Sequence, residues 1–546
     1  MSVPAMRSTI WPMTLTMPPT AQSATAAPSS ALDPALALPR PNLDVSAADF
    51  VALRTLLTGH RYDVPGVCAR TERGDLYDFT PRTHARHGQA PETGLDALIH
   101  LYYDCHTLDR GVCDRLLGEG SGDLLLRLGL ASLHEGEIMG TVLMYPTEAL
   151  WLVSDRPVFS AAGSISYEAV SDFVYPSNTK SVRVFLATLP PSRGKRVLEL
   201  CSGTGVATLM AAKAGATHAW AVDITERCTH FAAFNARLND LEHVTSLQGD
   251  LYAPLEGQQF DCIVAHPPYI PSTSTEIIYR DGGEDGEQIT RAIIGKLPEY
   301  LALDGIFHCT CQITAREGAP ALDRVRAMLG DAADEFDLIL FGRGVTDVKS
   351  HFVKQLLNAD VETEPGVVAL MRRFTTLKVR QMEYGTIIIR RHGMPRRGTA
   401  MAVTRHLDGT WGQVAWLLAM QELLADGTNA LDVLLASRPR LSPVAKFSLN
   451  YQISGNPEDP WRAAEGFLSV EQPVPARISA NGADAAFLSS CAGDRTFAHI
   501  LRDLQAEGTM PPTLTPHEFM HTMLPLVLSG VLETDALPIP FVPSVR

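Results

Sequence analysis

The sequence predicts an α/β protein: a mostly parallel sheet set between helical, winged-helix-like units at both ends. Three observations predict it. From Arg196 to Phe341, short apolar runs alternate with helical patterns, as in crossover-connected parallel strands. The first run, Arg196–Cys201, ends in a glycine-rich turn that opens a helix. On either side, residues 43–160 and 396–546 carry mainly helical periodicity.

A chain of 546 residues is too long for a single core. The composition divides it into a disordered leader (1–42), an N-terminal helical unit (43–160), the α/β domain (161–395) and a C-terminal helical unit (396–546). The leader is rich in Met, Ala, Ser, Thr and Pro and lacks the apolar segment of a secretory signal. No apolar run reaches the roughly 18 residues that span a bilayer, so no membrane partner is expected. The nine cysteines follow no framework spacing, and reduced core thiols of a cytoplasmic protein are expected. Lys and Arg total 46 against 61 Asp and Glu, a net charge of −15 that argues against a nucleic-acid substrate.

In the N-terminal unit, helices are expected at Ser46–Thr58, Leu95–Tyr103, Leu108–Leu117 and Asp123–Leu130. Two strands follow, Glu137–Tyr145 and Ala149–Asp155. The sheet candidates are Arg196–Cys201, His218–Ile224, Val244–Gly249, Phe260–Ala265, Gly305–Ile313 and Phe336–Phe341. Extended runs at Leu377–Met382 and Gly385–Arg391 close the sheet antiparallel, after an inserted helical stretch at Thr346–Phe374. Past the turn-rich Pro395–Gly398, helices are expected at Trp411–Leu424, Asp484–Cys491, Thr496–Glu507 and Pro516–Ser529.

Chemistry gathers at the ends of the first four sheet strands. Glu199, Cys201, Gly203 and Gly205 lie on the first strand and its turn, where glycines let backbone approach a ligand. A dinucleotide fingerprint wants a third glycine where Thr208 stands. Asp223, followed by Ile224, ends the second strand and is placed to accept hydrogen bonds from two ribose hydroxyls. Asp250 and Leu251 end the third, where a carboxylate can take an adenine amino group and an apolar side chain can flank the ring. The fourth strand runs into His266-Pro267-Pro268-Tyr269, whose prolines stiffen an extended turn.

This last motif resembles the Asn/Asp-Pro-Pro-Tyr/Phe motif of class I amino-methyltransferases. Order and spacing from Gly203 to Tyr269 agree with that family. Tyr279-Arg280-Asp281-Gly282-Gly283 resembles the segment that follows the motif in release-factor glutamine methyltransferases, and Val174-Tyr175-Pro176 resembles the segment before the domain. The resemblance covers about residues 90–395 and implies a Rossmann-like seven-stranded sheet. It implies S-adenosylmethionine as cofactor, held by Glu199, Cys201, Gly203, Gly205, Asp223, Ile224, Asp250, Leu251 and His266. His266, Pro267 and Tyr269 become the catalytic candidates; Tyr175, Pro268, Tyr269, Tyr279 and Arg280 become acceptor-binding candidates. No metal is required.

The sequence departs from the family at His266. A histidine accepts one hydrogen bond and, near its ordinary pKa of about 6.5, can take a proton. That favours an acceptor that must lose a proton over the family's amide nitrogen. With the acidic balance, this points to nitrogen or oxygen methylation of a small molecule, in specialised biosynthesis. The alternative within the class is N-methylation of a protein, at glutamine or on the ribosome.

Two motifs compete. His517-Glu518-Phe519-Met520-His521 matches the zinc-peptidase pattern H-E-x-x-H, although Thr515-Pro516 before it reads as a helix start. The stretch Met371–Arg405 carries Arg372, Arg373, Lys378, Arg380, Arg390, Arg391, Arg396, Arg397 and Arg405 against one acid, Glu383. It reads as a solvated strand face and linker, or as a seat for an anionic substrate. A cofactor-sensing DNA-binding module is the rival without an enzyme. The oligomeric state is not legible.

Overall fold

The computed structural model describes residues 38–538 except 78–87, 160–164, 167–169, 273–276, 359–363, 395, 404–410, 426–427, 457, 472, 474 and 481–486. The expected leader lies outside the described residues as far as position 37, as do Arg405 and the start of the expected helix at 484–491.

Helix α1 (Ala47–Gly59) starts at a Ser46 capping box closed by Asp49. Helices α2 (Val64–Thr71) and α3 (Gly94–Leu98) follow, and α3 runs into a π-helical turn at Ile99–Tyr103. Strand β1 (Thr107–Asp109), helices α4 (Arg110–Leu117) and α5 (Ser121–Arg127), and strands β2 (Ala131–His134) and β3 (Glu137–Gly140) complete a small helix-and-wing unit with sheet order β1-β3-β2. The single strand expected over Glu137–Tyr145 is two strands. A Cβ on Gly140 would sit 2.7 Å from the Leu101 carbonyl, so the chain passes tightly there before the hairpin β4 (Val142–Thr147) and β5 (Leu150–Asp155). Two short strands, β6 (Val158–Phe159) and β7 (Ile165–Ser166), pair beyond it.

The central sheet is built from β8 (Arg196–Leu200), β9 (His218–Asp223), β10 (Val244–Gln248), β11 (Phe260–Ala265), β12 (Leu301–Arg316), β13 (Phe336–Asp347) and β14 (Val379–Arg391). Their order is β10-β9-β8-β11-β12-β14-β13, parallel except for β14. An eighth strand, β15 (Ala400–Val403), adds parallel to β13 at the edge. The two runs expected at 377–382 and 385–391 are one strand, because Gly385 lies flat on Phe341 and Gly342 of β13 and lets the ladder continue. Ala265, the last residue of β11, pairs with Cys309, so residues 310–316 of β12 project beyond it. At about 3.3 Å per residue that projection is roughly 23 Å. With β13 and β14 it forms a wall beside the carboxyl ends of the central strands.

Helices α6 (Lys180–Ala187), α7 (Val206–Lys213) and α8 (Glu226–Leu238) cover the N-terminal side of the sheet. One core runs from Phe50, Leu53 and Tyr145 into Val206, Phe231 and Phe234, so the helix-and-wing unit shares its interior with the sheet's helices. Residues 38–42, expected to belong to the leader, are instead packed along α8. Arg227 donates to the carbonyls of Leu38 (2.9 Å) and Pro39 (2.6 Å), and Asn42 N–H donates to the Leu128 carbonyl (2.8 Å).

The inserted stretch forms helices Val348–Asn358 and Glu364–Thr376 at the tip of the wall, around Phe352, Phe374 and Met382. Beyond β15, helices Trp411–Ala425 and Thr428–Ala436 pack on the far end of the sheet through Trp416, Leu417, Ile339 and Ile388. An antiparallel meander follows, β17 (Lys446–Asn456), β18 (Asp459–Val470) and β19 (Ala476–Ala480), after a short β16 (Pro439–Leu441) that pairs with β20 (Leu532–Thr534). Helices Phe497–Ala506 and Pro516–Leu528 lie between β19 and β20.

Candidate active site

The carboxyl ends of β8, β9, β10 and β11 converge, as a parallel sheet with crossover helices requires. The β8 turn depends on its glycines. Gly205 has φ +77° at the N-cap of α7, and Gly203 has φ +52°. A Cβ on Gly203 would meet nothing within 4 Å, so the loop faces open space there.

Glu199 stands behind this loop. Its carboxylate accepts from Thr208 N–H and Thr208 Oγ1, each at 2.7 Å, and from Ala207 N–H at 3.3 Å, and so occupies the first turn of α7. Only 3% of it is exposed, and burial pushes its carboxyl up to about 7. Placed with the cofactor contacts by sequence, Glu199 fixes the loop from beneath.

Asp223 lies at the mouth. One oxygen accepts Gly203 N–H at 2.9 Å; the other accepts Thr225 N–H at 3.1 Å and Thr225 Oγ1 at 3.2 Å. Burial raises its pKa. Ile224 beside it is 52% exposed, an apolar surface next to a carboxylate. Gly249 N–H donates to the Asp223 carbonyl at 2.9 Å, which brings exposed Asp250 and half-buried Leu251 to the same edge. Cys201, at φ +54°, has a thiol pKa raised by burial. Open space at Gly203, a two-oxygen carboxylate and an exposed apolar shelf together fit a nucleoside that carries a charged amino-acid tail.

The loop after β11 sits beside it. His266 stacks on Phe185 of α6, with centroids 5.4 Å apart and planes at 21°, and lies 5.8 Å from Tyr269. Its Nε2 is shielded from solvent and finds no hydrogen-bond partner among the described residues. Burial lowers its pKa to about 4, so the ring stands in its neutral, proton-accepting form at pH 7 and is a weaker base than the ordinary histidine value of about 6.5 implies. Pro267 is buried and Pro268 half-buried. A Cβ on Gly282 would lie 2.8 Å from Tyr269 Cα and 2.9 Å from the Pro268 carbonyl, so the segment after the motif can press against it. Ile270 N–H donates to Arg280 (3.0 Å) and Gly282 N–H to Ile270 (2.8 Å), tying the two loops together.

Tyr279 stacks on Tyr175, centroids 5.1 Å apart. Arg280, expected to bind acceptor, is held by Asp281 at 3.0 Å. Sequence reasoning missed several groups here. Tyr384 of β14 reaches Tyr269, with ring centroids 5.6 Å apart, and Tyr269 is pushed up to about 12 by burial. Phe185 backs His266; His308 of β12 bonds Thr188 Oγ1 at 2.8 Å and lies 5.4 Å from Phe185. Ser177 Oγ and Thr204 Oγ1 meet at 2.6 Å, joining the segment before the domain to the glycine loop. None has a local sequence signature, because the contacts depend on strand order.

The competing motifs resolve otherwise. Glu518 closes a capping box on Thr515, and His517 pairs with Asp432 at 2.8 Å. No group of three potential metal ligands occurs among the described residues. In the basic stretch, Arg390 and Arg396 hold buried Asp337 (2.8 and 2.7 Å), Arg391 holds Glu335, Arg373 holds Glu284 and Arg380 holds Glu317. Each of these arginines is thus paired with a carboxylate of the chain itself. A cavity of about 610 Å³ between β4–β5, α7 and residues 64–77 has none of Gly203, Asp223 or His266 in its wall.

The profile of the methyltransferase small domain matches residues 173–315. A provisionally named protein N5-glutamine methyltransferase of Methanocaldococcus jannaschii is 35% identical over 22% of this chain and 64% of its own length. A release factor glutamine methyltransferase of Thermodesulfovibrio yellowstonii is 31% identical over 21% and 45%. A ribosomal protein uL3 glutamine methyltransferase of Bradyrhizobium diazoefficiens is 36% identical over 22% and 41%. The chain thus spans between about two fifths and two thirds of the lengths of these relatives. All three are named for glutamine methylation, and two of them for a protein carrying it. This corrects the small-molecule acceptor expected from the acidic charge and from His266. No helix among the described residues is long and apolar enough to cross a membrane.

Proposed function

We propose that this chain, which contains a class I S-adenosylmethionine-dependent methyltransferase domain homologous to release-factor and ribosomal-protein glutamine methyltransferases, methylates a side-chain amide nitrogen of a protein, with glutamine as the acceptor residue. The observation that carries this reading is the similarity of residues 173–315 to proteins named for glutamine methylation, and the unpaired Nε2 of His266 on a proline-stiffened loop beside the glycine turn is compatible with it.

Asp223 would take the ribose hydroxyls, Asp250 the adenine amino group, and Ile224 and Leu251 the faces of the ring. An amide nitrogen is a poor nucleophile, so alignment matters more than proton abstraction. His266, neutral, accepts one amide N–H and turns the nitrogen toward the methyl carbon. When bound, the cofactor would supply the methyl group, the new nitrogen–carbon bond replacing its carbon–sulfur bond with the electron pair left on sulfur, and the proton displaced from the amide nitrogen would leave to bulk solvent on product release. Tyr269, Tyr384, Tyr175 and Tyr279 wall the approach and keep out water that would loosen the alignment.

The test is methyl transfer from labelled S-adenosylmethionine to purified release factor and protein uL3, read by mass spectrometry. One added methyl on a glutamine of either is expected. Labelling confined to a carboxylate, hydroxyl or small molecule would overturn the reading.

A further inference from the structure

In a soluble sheet, residues on alternate positions face alternate sides, and the solvent face is normally polar. β17 breaks this rule. Phe447, Leu449, Tyr451 and Ile453 share one face and are 53%, 42%, 55% and 78% exposed. On β18 their cross-strand partners are Leu468, Gly466, Ala463 and Trp461. Leu468 and Val470 root the meander in the C-terminal core, and the apolar face of β17 runs outward from that root. The opposite face carries Ser448, Asn450 and Gln452.

β17 is also an edge. The sheet order is β17-β18-β19, so its outer N–H and C=O groups have no strand beside them among the described residues. Proteins usually guard such an edge with charges, proline or a bulge. From Phe447 to Ile453 the strand carries no charged residue and no proline; the extra residue at the Asn450/Tyr451 irregularity, Ala464, falls on β18, and the extra residue on β17 comes only past Ile453, before Asn456.

We infer that β17 pairs antiparallel with β17 of a second copy of this chain, joining two meanders into a six-stranded sheet about a twofold axis. The strand is self-complementary. Pairing centred on Asn450 sets Phe447 opposite the other copy's Ile453, and Leu449 opposite its Tyr451, so all the apolar side chains fall on one face. The only charge, Lys446, falls opposite Ser454 and meets no like charge. That matters for a chain of net charge −15, whose copies repel except through a neutral surface. The regular stretch Lys446–Ile453 offers about eight backbone hydrogen bonds, within the usual range for a specific interface. A twofold axis is the commonest way to satisfy such an edge.

The test is the mass of the full chain by sedimentation and light scattering, up to about 100 μM. A dimer is expected. Leu449→Lys with Tyr451→Lys places two like charges across the dyad and should raise the dissociation constant about 100-fold or more, to a folded monomer. Both positions are exposed, so the monomer should keep the native circular dichroism spectrum and cofactor binding, losing only the concentration-dependent part of its thermal stability. A native chain that stays monomeric throughout would overturn the inference, as would a dimer untouched by the double variant. So would a monomer whose arm instead captures the methyl-accepting protein.

Discussion

Gly203 N–H donates to Asp223 Oδ2 across 2.9 Å, so the glycine turn and the end of β9 are fastened to each other by the carboxylate assigned to the ribose. Asp223→Ala therefore removes a ligand contact and a loop fastener together. A charged pair of hydrogen bonds contributes about 2–4 kcal/mol, so cofactor affinity should fall at least 30-fold in calorimetry. Asp223→Asn should fall between the two. Unchanged affinity in the alanine variant would remove Asp223 from the cofactor site.

Glu199 gives the apo protein a pH-dependent stability. Its folded pKa, about 7, stands above the unfolded carboxylate value, so the folded state binds the extra proton. The stabilisation is full below the unfolded pKa and is lost as pH rises through 7. Its ceiling is roughly 3 kcal/mol. Urea denaturation at a series of pH values should show stability declining from about pH 5 to 8. Glu199→Gln should flatten that slope. A slope that persists in the glutamine variant would assign it to another group.

Arg227 and Asp155 form a buried ion pair, 2.9 Å from Nε to Oδ2, between α8 and β5. Asp155 also accepts Val174 N–H at 2.8 Å, one residue before Tyr175. Arg227→Met leaves a buried carboxylate alone and frees the carbonyls of Leu38 and Pro39. A loss of about 3–5 kcal/mol is expected in denaturant melts. Combining it with Asp155→Leu should cost less than Arg227→Met alone, because no charge is stranded. An additive double variant would show that the two residues act separately.

How much of this was legible depends on whether a residue's role is local. The strands from Arg196 to Phe341, the glycine turn and the His266 loop could be read because their chemistry lies within ten residues of sequence. Tyr384 could not. It meets Tyr269 only because β14 runs antiparallel beside β12 and places position 384 opposite Gln312. Residues 38–42 read as leader by composition, yet carbonyl groups, which every residue has, are what Arg227 binds there. The meander at 446–480 carries its alternation at Phe447, Leu449, Tyr451 and Ile453, but helical periodicity dominates the residues on either side of it. The lowered pKa of His266 could not be read either, because a sequence carries no burial, and it is the packing of Phe185 and Tyr269 that withholds solvation from a charged ring.

His266 should set turnover and leave cofactor binding alone. It is stacked on Phe185 and tilted against Tyr269, with Nε2 unpaired among the described residues. As a neutral acceptor of one amide N–H, it contributes alignment. His266→Ala should lower kcat about 100-fold, with cofactor affinity within about twofold of native. His266→Asn, which offers a carbonyl acceptor, should keep activity within about tenfold. The pH profile separates this from proton abstraction. With a pKa near 4, the ring gains its proton only in acid, so activity is lost as pH falls through that range and the histidine adds no inflection between pH 6 and 8. A native inflection near 6.5 that disappears in His266→Asn would make the histidine a general base. Full activity in His266→Ala with the protein acceptor would exclude both roles.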